Sequence, residues 1–352
     1  MKRPPLNLRQ GYLRLWSRRA ITMPGIFALA AAYVLVLPIL LAVGAVVDAV
    51  RGGRSAVARA ALLFGLYLVY EAAGVACLGF TWLFVRLTGY SWDREWWWTF
   101  RVELWYNQAI YHSLTRLFRI KTVVEGGEAL EKGPLLLFTR HVTQADAFLP
   151  AVVSSGQHGL WLRYVLKQEL QWVPTLDLLG HRLPNCFVHR EATDSAGEIA
   201  AIKELLLELG DHEAVIIYPE GTRFTPAKRA RIIEKLRSAG SHRLLAEATA
   251  LEHVLPPRLG GPLGLIEAST DTDVAFFAHT GFEGINSVID LADGSPLDST
   301  VHVLVWRVPR ARIPADRPGR EEWLYAQWRR MDRWIAQHVS ARQPFAGRPD
   351  SV

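Results

Sequence analysis

Apolar residues are unevenly distributed along the chain, and their pattern changes twice. Pro24 to Val47, PGIFALAAAYVLVLPILLAVGAVV, runs without a charge. A stretch of that length reaches across a bilayer core of roughly 30 Å. It is too long for the apolar centre of a signal peptide. A second apolar stretch, Ala60 to Val85, is interrupted by Glu71. Joined by RGGRSAVAR, the two predict a membrane hairpin, with a buried or re-entrant helix as the alternative for residues 60–85. Next comes YSWDREWWWTFRVELWY, residues 90–106, with eight aromatics in 17 positions. Rings with one polar edge suit the headgroup zone, so this segment predicts an interfacial helix. Ordinary core packing is its other reading.

From about residue 121 the period shortens. KTVVEG, PLLLFTR, LWLRYVLK, NCFVHR and AVIIYPEG read as short strands bounded by turn signals or polar residues. Between them QADAFLPAVVSS, ELQWVPTLDLLG, SAGEIAAIKELLLELG and PAKRARIIEKLRSAG have helical spacing or composition. Alternating strands and helices predict an α/β body with its functional edge at the strand ends. Two late strands, AFFAH and VHVLVWRV, flank a polar loop over residues 284–300. In EEWLYAQWRRMDRWIAQHV, residues Leu324, Trp328, Met331 and Ile335 form one helical stripe that packs on the body. The expected division is a basic segment and hairpin over 1–89, the aromatic helix over 90–120, an α/β domain over 121–318, and a C-terminal helix and tail over 319–352.

Charge adds direction. The net charge is +6 and the pI near 9.4, which points to anionic partners: nucleic acid, anionic lipid or phosphorylated metabolites. Lys2, Arg3, Arg9, Arg14, Arg18 and Arg19 precede the first apolar run with no acid among them. They outweigh Arg51, Arg54 and Arg59 in the connecting loop. The positive-inside rule then places the N-terminus and the body on the cytoplasmic side of the inner membrane. Two cysteines, Cys77 and Cys186, make no disulfide framework or thiol zinc site. His112, His158, His181, His253 and His279 lack metal-ligand spacing and are assigned structural roles; no metal is expected. Nothing resembles a nucleic-acid-binding motif.

Candidate chemistry lies at two strand ends. The run PLLLF stops at Arg140 and His141, and Asp146 follows. On an uninterrupted helix, residues five apart sit about 140° from each other and share no face. If His141 instead lies in a turn entering the helix, with Thr143 as N-cap, its ring can fold back onto Asp146. A carboxylate on one ring nitrogen fixes the tautomer and makes the other nitrogen a better proton acceptor. The second strand end reads AVIIYPEGTRFTPAKRAR, residues 214–231. It breaks at Pro219 and presents Glu220, Gly221, Thr222 and Arg223. Gly221 permits close backbone approach, Thr222 offers a hydroxyl, and Arg223 can hold a phosphate through parallel hydrogen bonds. Lys228, Arg229, Arg231, Lys235, Arg237 and Arg243 follow, against the single acid Glu234; a solvated basic helix is the plain reading of that run. It is no P-loop, because GxxxxGK[ST] is absent and Lys228 lies too far along.

The pair RHVTQAD and YPEGTRF, in this order and about eighty residues apart, resembles the glycerolipid acyltransferase family. His141 and Asp146 match that family's His–Asp motif, and Pro219 to Arg223 match its Pro-Glu-Gly-Thr-Arg loop. LKQELQWVPTLDLLGHRLPNCFVHRE matches an intermediate element through Lys167, Glu169, Pro174 and Arg190, and HVLPPRLGG matches a later one through Pro257 and Arg258. The resemblance covers roughly residues 120–310. Arg140 stands where Asn is frequent, and Gln144 and His189 also depart from the pattern. The resemblance implies a mixed α/β sheet flanked by helices behind an N-terminal transmembrane hairpin. It also implies transfer of an acyl group from acyl-CoA or acyl carrier protein, as co-substrate with no other cofactor, to a lysophospholipid such as 1-acylglycerol-3-phosphate in the membrane. His141, oriented by Asp146, would be the general base. Arg223, supported by Arg190, would hold the acceptor phosphate. Lys167, Gly221, Thr222 and Arg258 would complete the binding site, and Glu220 would orient the glycerol or brace the loop. A lipid hydrolase would need a nucleophile elbow, and none is present. An amine acceptor or a phospholipid acyl donor would use the same groups.

Overall fold

A computed structural model describes residues 12–52, 55–143, 145–188, 195–283, 285 and 288–340. Three long helices come first: α1 (Tyr12–Val50), α2 (Ala56–Leu87) and α3 (Trp92–Phe118). The carboxylate of Asp48 accepts from the N–H groups of Val57 and Ala58, both at 3.1 Å, and so caps the start of α2. Gly44 lies against Ala58, and the return is tight enough for α2 to pack back along α1. Both helices are long and apolar enough to cross a membrane by length and composition.

Their surroundings differ. α1 leaves Leu35, Ile39 and Val46 exposed. One face of α2 instead packs on the body from Ala56 to Leu78: Ala56, Ala60 and Leu63 join the main core, and Gly74 abuts Thr175. The Leu78 carbonyl accepts from Arg182 at 2.6 Å. Glu71, which interrupts the apolar run, is buried on that face and accepts from the Tyr106 hydroxyl and from Thr175 N–H. Its partners are protein groups, which answers the cost of a carboxyl in an apolar helix. The opposite face exposes Val69, Phe80, Leu83 and Leu87. The buried-helix reading therefore describes one side of α2 and the membrane reading the other.

α3 begins where Ser91 accepts from Arg94 N–H, with Asp93 and Glu95 in the first turn to complement the helix dipole. It too is two-sided. Trp96, Phe100 and Tyr106 are buried, while Trp97, Trp98 and Trp105 are exposed.

Seven strands follow: β1 (Lys121–Glu125), β2 (Leu135–Thr139), β3 (Trp161–Lys167), β4 (Cys186–Val188), β5 (Glu213–Ile217), β6 (Asp273–Thr280) and β7 (Thr300–Val308). They form one sheet in the order β1-β7-β6-β2-β5-β3-β4. Every pairing is parallel except β6 with β7. The sheet is thus the mixed one expected. The carboxyl ends of β6, β2, β5, β3 and β4 share one edge, where α/β proteins place ligands.

Side chains alternate across β2. Leu135 and Leu137 join the core beneath α2 and α3, whereas Leu136 and Phe138 join the opposite core. Burial on both faces explains why this strand is a continuous apolar run. The helices are α4 (Pro174–Arg182), α5 (Ser195–Lys203), α6 (Pro226–Ser238), α7 (His242–Thr249), α8 (Gly260–Ala268), the single turn α9 (Val288–Leu291) and α10 (Arg317–Ser340). Leu324, Trp328, Met331 and Ile335 of α10 are buried in the second core, as their stripe predicts. The segment expected as a helix after Asp146 is broken: a 3-10 turn covers Ala145–Ala147 and a wide π-type turn covers Ala151–Gln157. Pro150 between them has no N–H to continue an α-helical ladder.

Candidate active site

β2 and β5 are neighbours in register, with Phe138 beside Ile217, so the chains leaving them emerge side by side. From β2 comes the turn Arg140-His141-Val142-Thr143. The hydroxyl oxygen of Thr143 accepts from Ala145 N–H at 2.9 Å and Asp146 N–H at 3.3 Å. The expected cap is there, but it closes one 3-10 turn and not a long helix. That tight turn brings Asp146 back to His141, with Oδ1 at 3.1 Å from Nδ1. The other carboxylate oxygen accepts from Val142 N–H at 2.5 Å and Thr143 N–H at 2.8 Å. Asp146 is fully buried, whereas 16 % of the His141 side chain is exposed. Burial alone would push the Asp146 carboxyl up. The His141 hydrogen bond and charge, the His279 charge and the Thr143 N–H outweigh it and hold the group below its ordinary value. An ionised Asp146 selects the tautomer with hydrogen on Nδ1 and leaves Nε2 as the base.

Glu220 settles its own role. Its Oε1 accepts from His141 N–H at 3.0 Å and its Oε2 from Leu255 N–H at 2.9 Å. The side chain is buried and braces three loops. Two further bonds close the lattice: Phe224 N–H to the His141 carbonyl at 2.7 Å, and Arg258 N–H to the Pro219 carbonyl at 2.8 Å. Gly221 has φ +67, and a Cβ there would lie 2.7 Å from Cδ and Nε of Arg258. The structure thus seats the Arg258 side chain directly on the Glu-Gly-Thr-Arg loop. Gly221→Ala is expected to cost about 1–2 kcal/mol from the left-handed backbone and to dislodge Arg258. Thermal unfolding of the variant checks this, and an unchanged midpoint would contradict it.

Among the other expected site residues, Thr222 and Arg223 stand in the same loop. Lys228 folds back onto them from the first turn of α6, its Nζ donating to Thr222 Oγ1 and to the Arg223 carbonyl, both at 3.1 Å. Thr225 caps α6 and Pro226 occupies its first position, which sets that return. Lys167 ends β3 at the same edge, one strand beyond β5. Arg190, with His189, lies outside the described residues, as does Gln144. Among the described residues no group of three or more His, Cys, Asp or Glu side chains is placed to share a metal ion.

Four residues acquire roles that the sequence reading did not assign. Lys228 is one. Tyr218 lies under His141, ring centroids 4.6 Å apart, and fixes the imidazole from one side. Arg140 is buried and donates to the His279 carbonyl and the His253 carbonyl, both at 2.7 Å, and to Glu283 at 2.6 Å. His279, assigned a plain structural role, has Nε2 3.7 Å from Asp146 and 3.2 Å from the Arg140 carbonyl; burial pushes it down, toward the neutral form. Only Lys228 had a sequence signal, its place in the basic run. The contacts of the others span 77 to 143 positions.

Two buried carboxyls make a pH prediction. Burial pushes Glu220 up to about 8, against the pull of its two N–H donors and Arg140. Burial pushes Glu103, on α3, to about 8 as well. Both start from 4.5, so the folded chain retains protons that the unfolded chain releases as pH rises above that value. The stability contribution of protonated Glu103 and Glu220 is complete below pH 4.5 and is lost as pH rises through about 8. Glu103→Gln removes one of these titrations. Its denaturation midpoint should fall less steeply than the wild type's between about pH 6 and 8; parallel slopes would rule the assignment out.

The sheet edge thus presents a His–Asp pair beside a Pro-Glu-Gly-Thr-Arg loop. Residues 121–257 match the family model described as Acyltransferase. The chain is 20% identical over 235 residues to the 1-acyl-sn-glycerol-3-phosphate acyltransferase epsilon of Mus musculus, covering 64% of this chain and 63% of that protein. It is 27% identical over 130 residues to the lyso-ornithine lipid O-acyltransferase of Rhizobium meliloti (strain 1021), covering 37% of this chain and 42% of that one. The chain thus spans less than two thirds of the length of either relative. The crystal structure of the 1-acyl-sn-glycerophosphate acyltransferase PlsC from Thermotoga maritima shares the fold, with a TM-score of 0.50 at 14% identity over 82% of this chain and all of that one.

Proposed function

We propose that this chain is a membrane-bound O-acyltransferase. It moves a fatty acyl group from acyl-CoA or acyl carrier protein to the free hydroxyl of a lysophospholipid, with 1-acylglycerol-3-phosphate the foremost acceptor. The observation that carries the reading is the 3.1 Å contact between His141 Nδ1 and a buried Asp146. Nε2 of His141 takes the proton of the acceptor hydroxyl, and the oxygen attacks the thioester carbonyl carbon. The tetrahedral intermediate collapses with loss of thiolate, which recovers the proton from the imidazolium, so no acyl-enzyme forms. The N–H groups of His141, Val142 and Thr143 are already held by Glu220 and Asp146. Stabilisation of the oxyanion therefore falls to the Glu-Gly-Thr-Arg loop. Arg223 and Arg258 hold the acceptor phosphate, with Lys167 and Arg190 as further cations at that edge. The apolar faces of α1 and α2 and the exposed tryptophans of α3 seat this edge at a membrane surface. The basic N-terminal segment supports an orientation with this edge on the cytoplasmic side of the inner membrane.

The test is acyl transfer by the purified chain in detergent. Labelled acyl-CoA and acyl carrier protein are the donors, and 1-acylglycerol-3-phosphate, other lysophospholipids and lyso-ornithine lipid are the acceptors. Product from a phosphate-bearing acceptor supports the reading. Product from lyso-ornithine lipid alone moves the acceptor to that class, and no product from any pair overturns it. Arg223→Ala should raise the acceptor KM about 10-fold or more, since a charge-assisted bond to phosphate is lost, with a smaller effect on the KM of the donor. Equal effects on both would place Arg223 elsewhere in the reaction.

A further inference from the structure

We propose that a recess between the first turns of α1 and the Gln168–Trp172 turn binds a lipid headgroup that carries both a phosphate and a primary ammonium. The recess has a volume of about 470 Å³ and is lined by Arg14, Ser17, Gln168, Glu169 and Trp172 among others. Its walls are fixed. Arg18 donates to Gln171 at 3.0 Å and pairs with Asp177 at 2.5 Å, and Arg19 pairs with the other oxygen of Asp177 at 2.5 Å. Those ties pin α1 to α4.

Arg14 and Glu169 are left over. Among the described residues neither has an ion-pair partner, although both line the same small space, together with the Asp177-paired Arg18. The amide oxygen of Gln168 is buried without a hydrogen-bond partner, a cost that an incoming N–H donor would relieve. A phosphate suits Arg14. An ammonium with hydrogens to donate suits Glu169 and the Gln168 oxygen, whereas a quaternary choline has none. The rim is apolar and outward: Ile21 is 68% exposed and Trp172 62%. Isoleucine and tryptophan there flank a polar recess as residues at a membrane interface do. The adjoining Lys167 ends β3 at the sheet edge that carries His141. The inference rests on membrane placement and not on acyl transfer.

The experiment uses the full chain carrying His141→Ala, so that nothing is turned over, in maltoside micelles. Dihexanoyl phosphatidylethanolamine, phosphatidylcholine and phosphatidylglycerol are titrated by calorimetry, followed by lysophosphatidylethanolamine. The expected result is tightest binding of the ethanolamine lipid, weakened about 10-fold by Arg14→Gln and by Glu169→Gln. The exchange Arg14→Glu with Glu169→Arg recovers part of the loss. Comparable binding of diacyl and lyso forms marks a resident membrane lipid, and binding of the lyso form alone marks the acceptor itself. Equal binding of phosphatidylglycerol, indifferent to Glu169→Gln, overturns the paired-charge assignment. Failure of every lipid to bind overturns the site. Because binding is read without catalysis, either failure is distinct from failure of the acyltransferase reading.

Discussion

Replacing His141 by alanine is expected to lower kcat by about 10²–10⁴-fold, the usual contribution of a positioned general base. The fold should survive, because the imidazole is partly exposed and, among the described residues, its ring makes one hydrogen bond, to Asp146. The backbone bonds of residue 141, N–H to Glu220 and carbonyl from Phe224, are kept by alanine. Circular dichroism and thermal unfolding of the variant should match the wild type while turnover collapses. Asp146→Asn separates orientation from basicity. Asparagine keeps an acceptor oxygen, but it loses the charge that favours hydrogen on Nδ1, so a large part of the loss should recur. Turnover by either variant within about threefold of wild type would sink the His–Asp mechanism.

Arg140→Ala should have the largest effect on stability, about 2–4 kcal/mol, or on the order of 10 °C in Tm for a chain of this size. The guanidinium is buried and ties the end of β2 to the His279 and His253 carbonyls and to Glu283. Removing it takes a donor from two carbonyls and the counter-charge from Glu283, which keeps its bonds from the Thr280 hydroxyl and Gly281 N–H. Glu283 is 32% exposed, so water recovers part of the cost and the figure sits below that of a fully buried pair. The pair also has an acid-side signature. Burial would raise Glu283, but the Arg140 charge and hydrogen bond prevail and hold it at about 2, against an ordinary 4.5. Its contribution is therefore present above pH 4.5 and lost as pH falls through about 2. Arg140→Lys keeps the charge but lacks the fork that reaches three acceptors, so it should rescue only part. A loss under about 0.5 kcal/mol on Arg140→Ala would show that the three contacts carry no weight.

Arg140 also shows where the sequence could not be read. It appeared as a departure at a motif position, with no role of its own. Its partners lie 113 to 143 positions away, and no local pattern reports contacts across such distances. Glu71 taught the same lesson in the hairpin. It marked residues 60–85 as ambiguous, yet the reason, a bond to the Tyr106 hydroxyl and one to Thr175 N–H, comes from two later elements.

What the sequence determined by itself was local in origin. The β2 and β5 runs are apolar because both faces of a parallel strand are buried. The stripe on α10 has helical period, and Pro219 and Gly221 break a strand into a loop whatever surrounds it. The His–Asp spacing required a turn for the two side chains to meet, and a turn with a Thr143 cap is what forms. Tertiary structure decided the rest. It chose a sheet order that puts β2 beside β5, and so brought His141 N–H within reach of Glu220. It also made Glu220 a brace between loops, and seated Arg258 on Gly221. Strand order and loop lacing follow from burying two cores on one sheet at once, a condition on the whole chain that no segment carries alone.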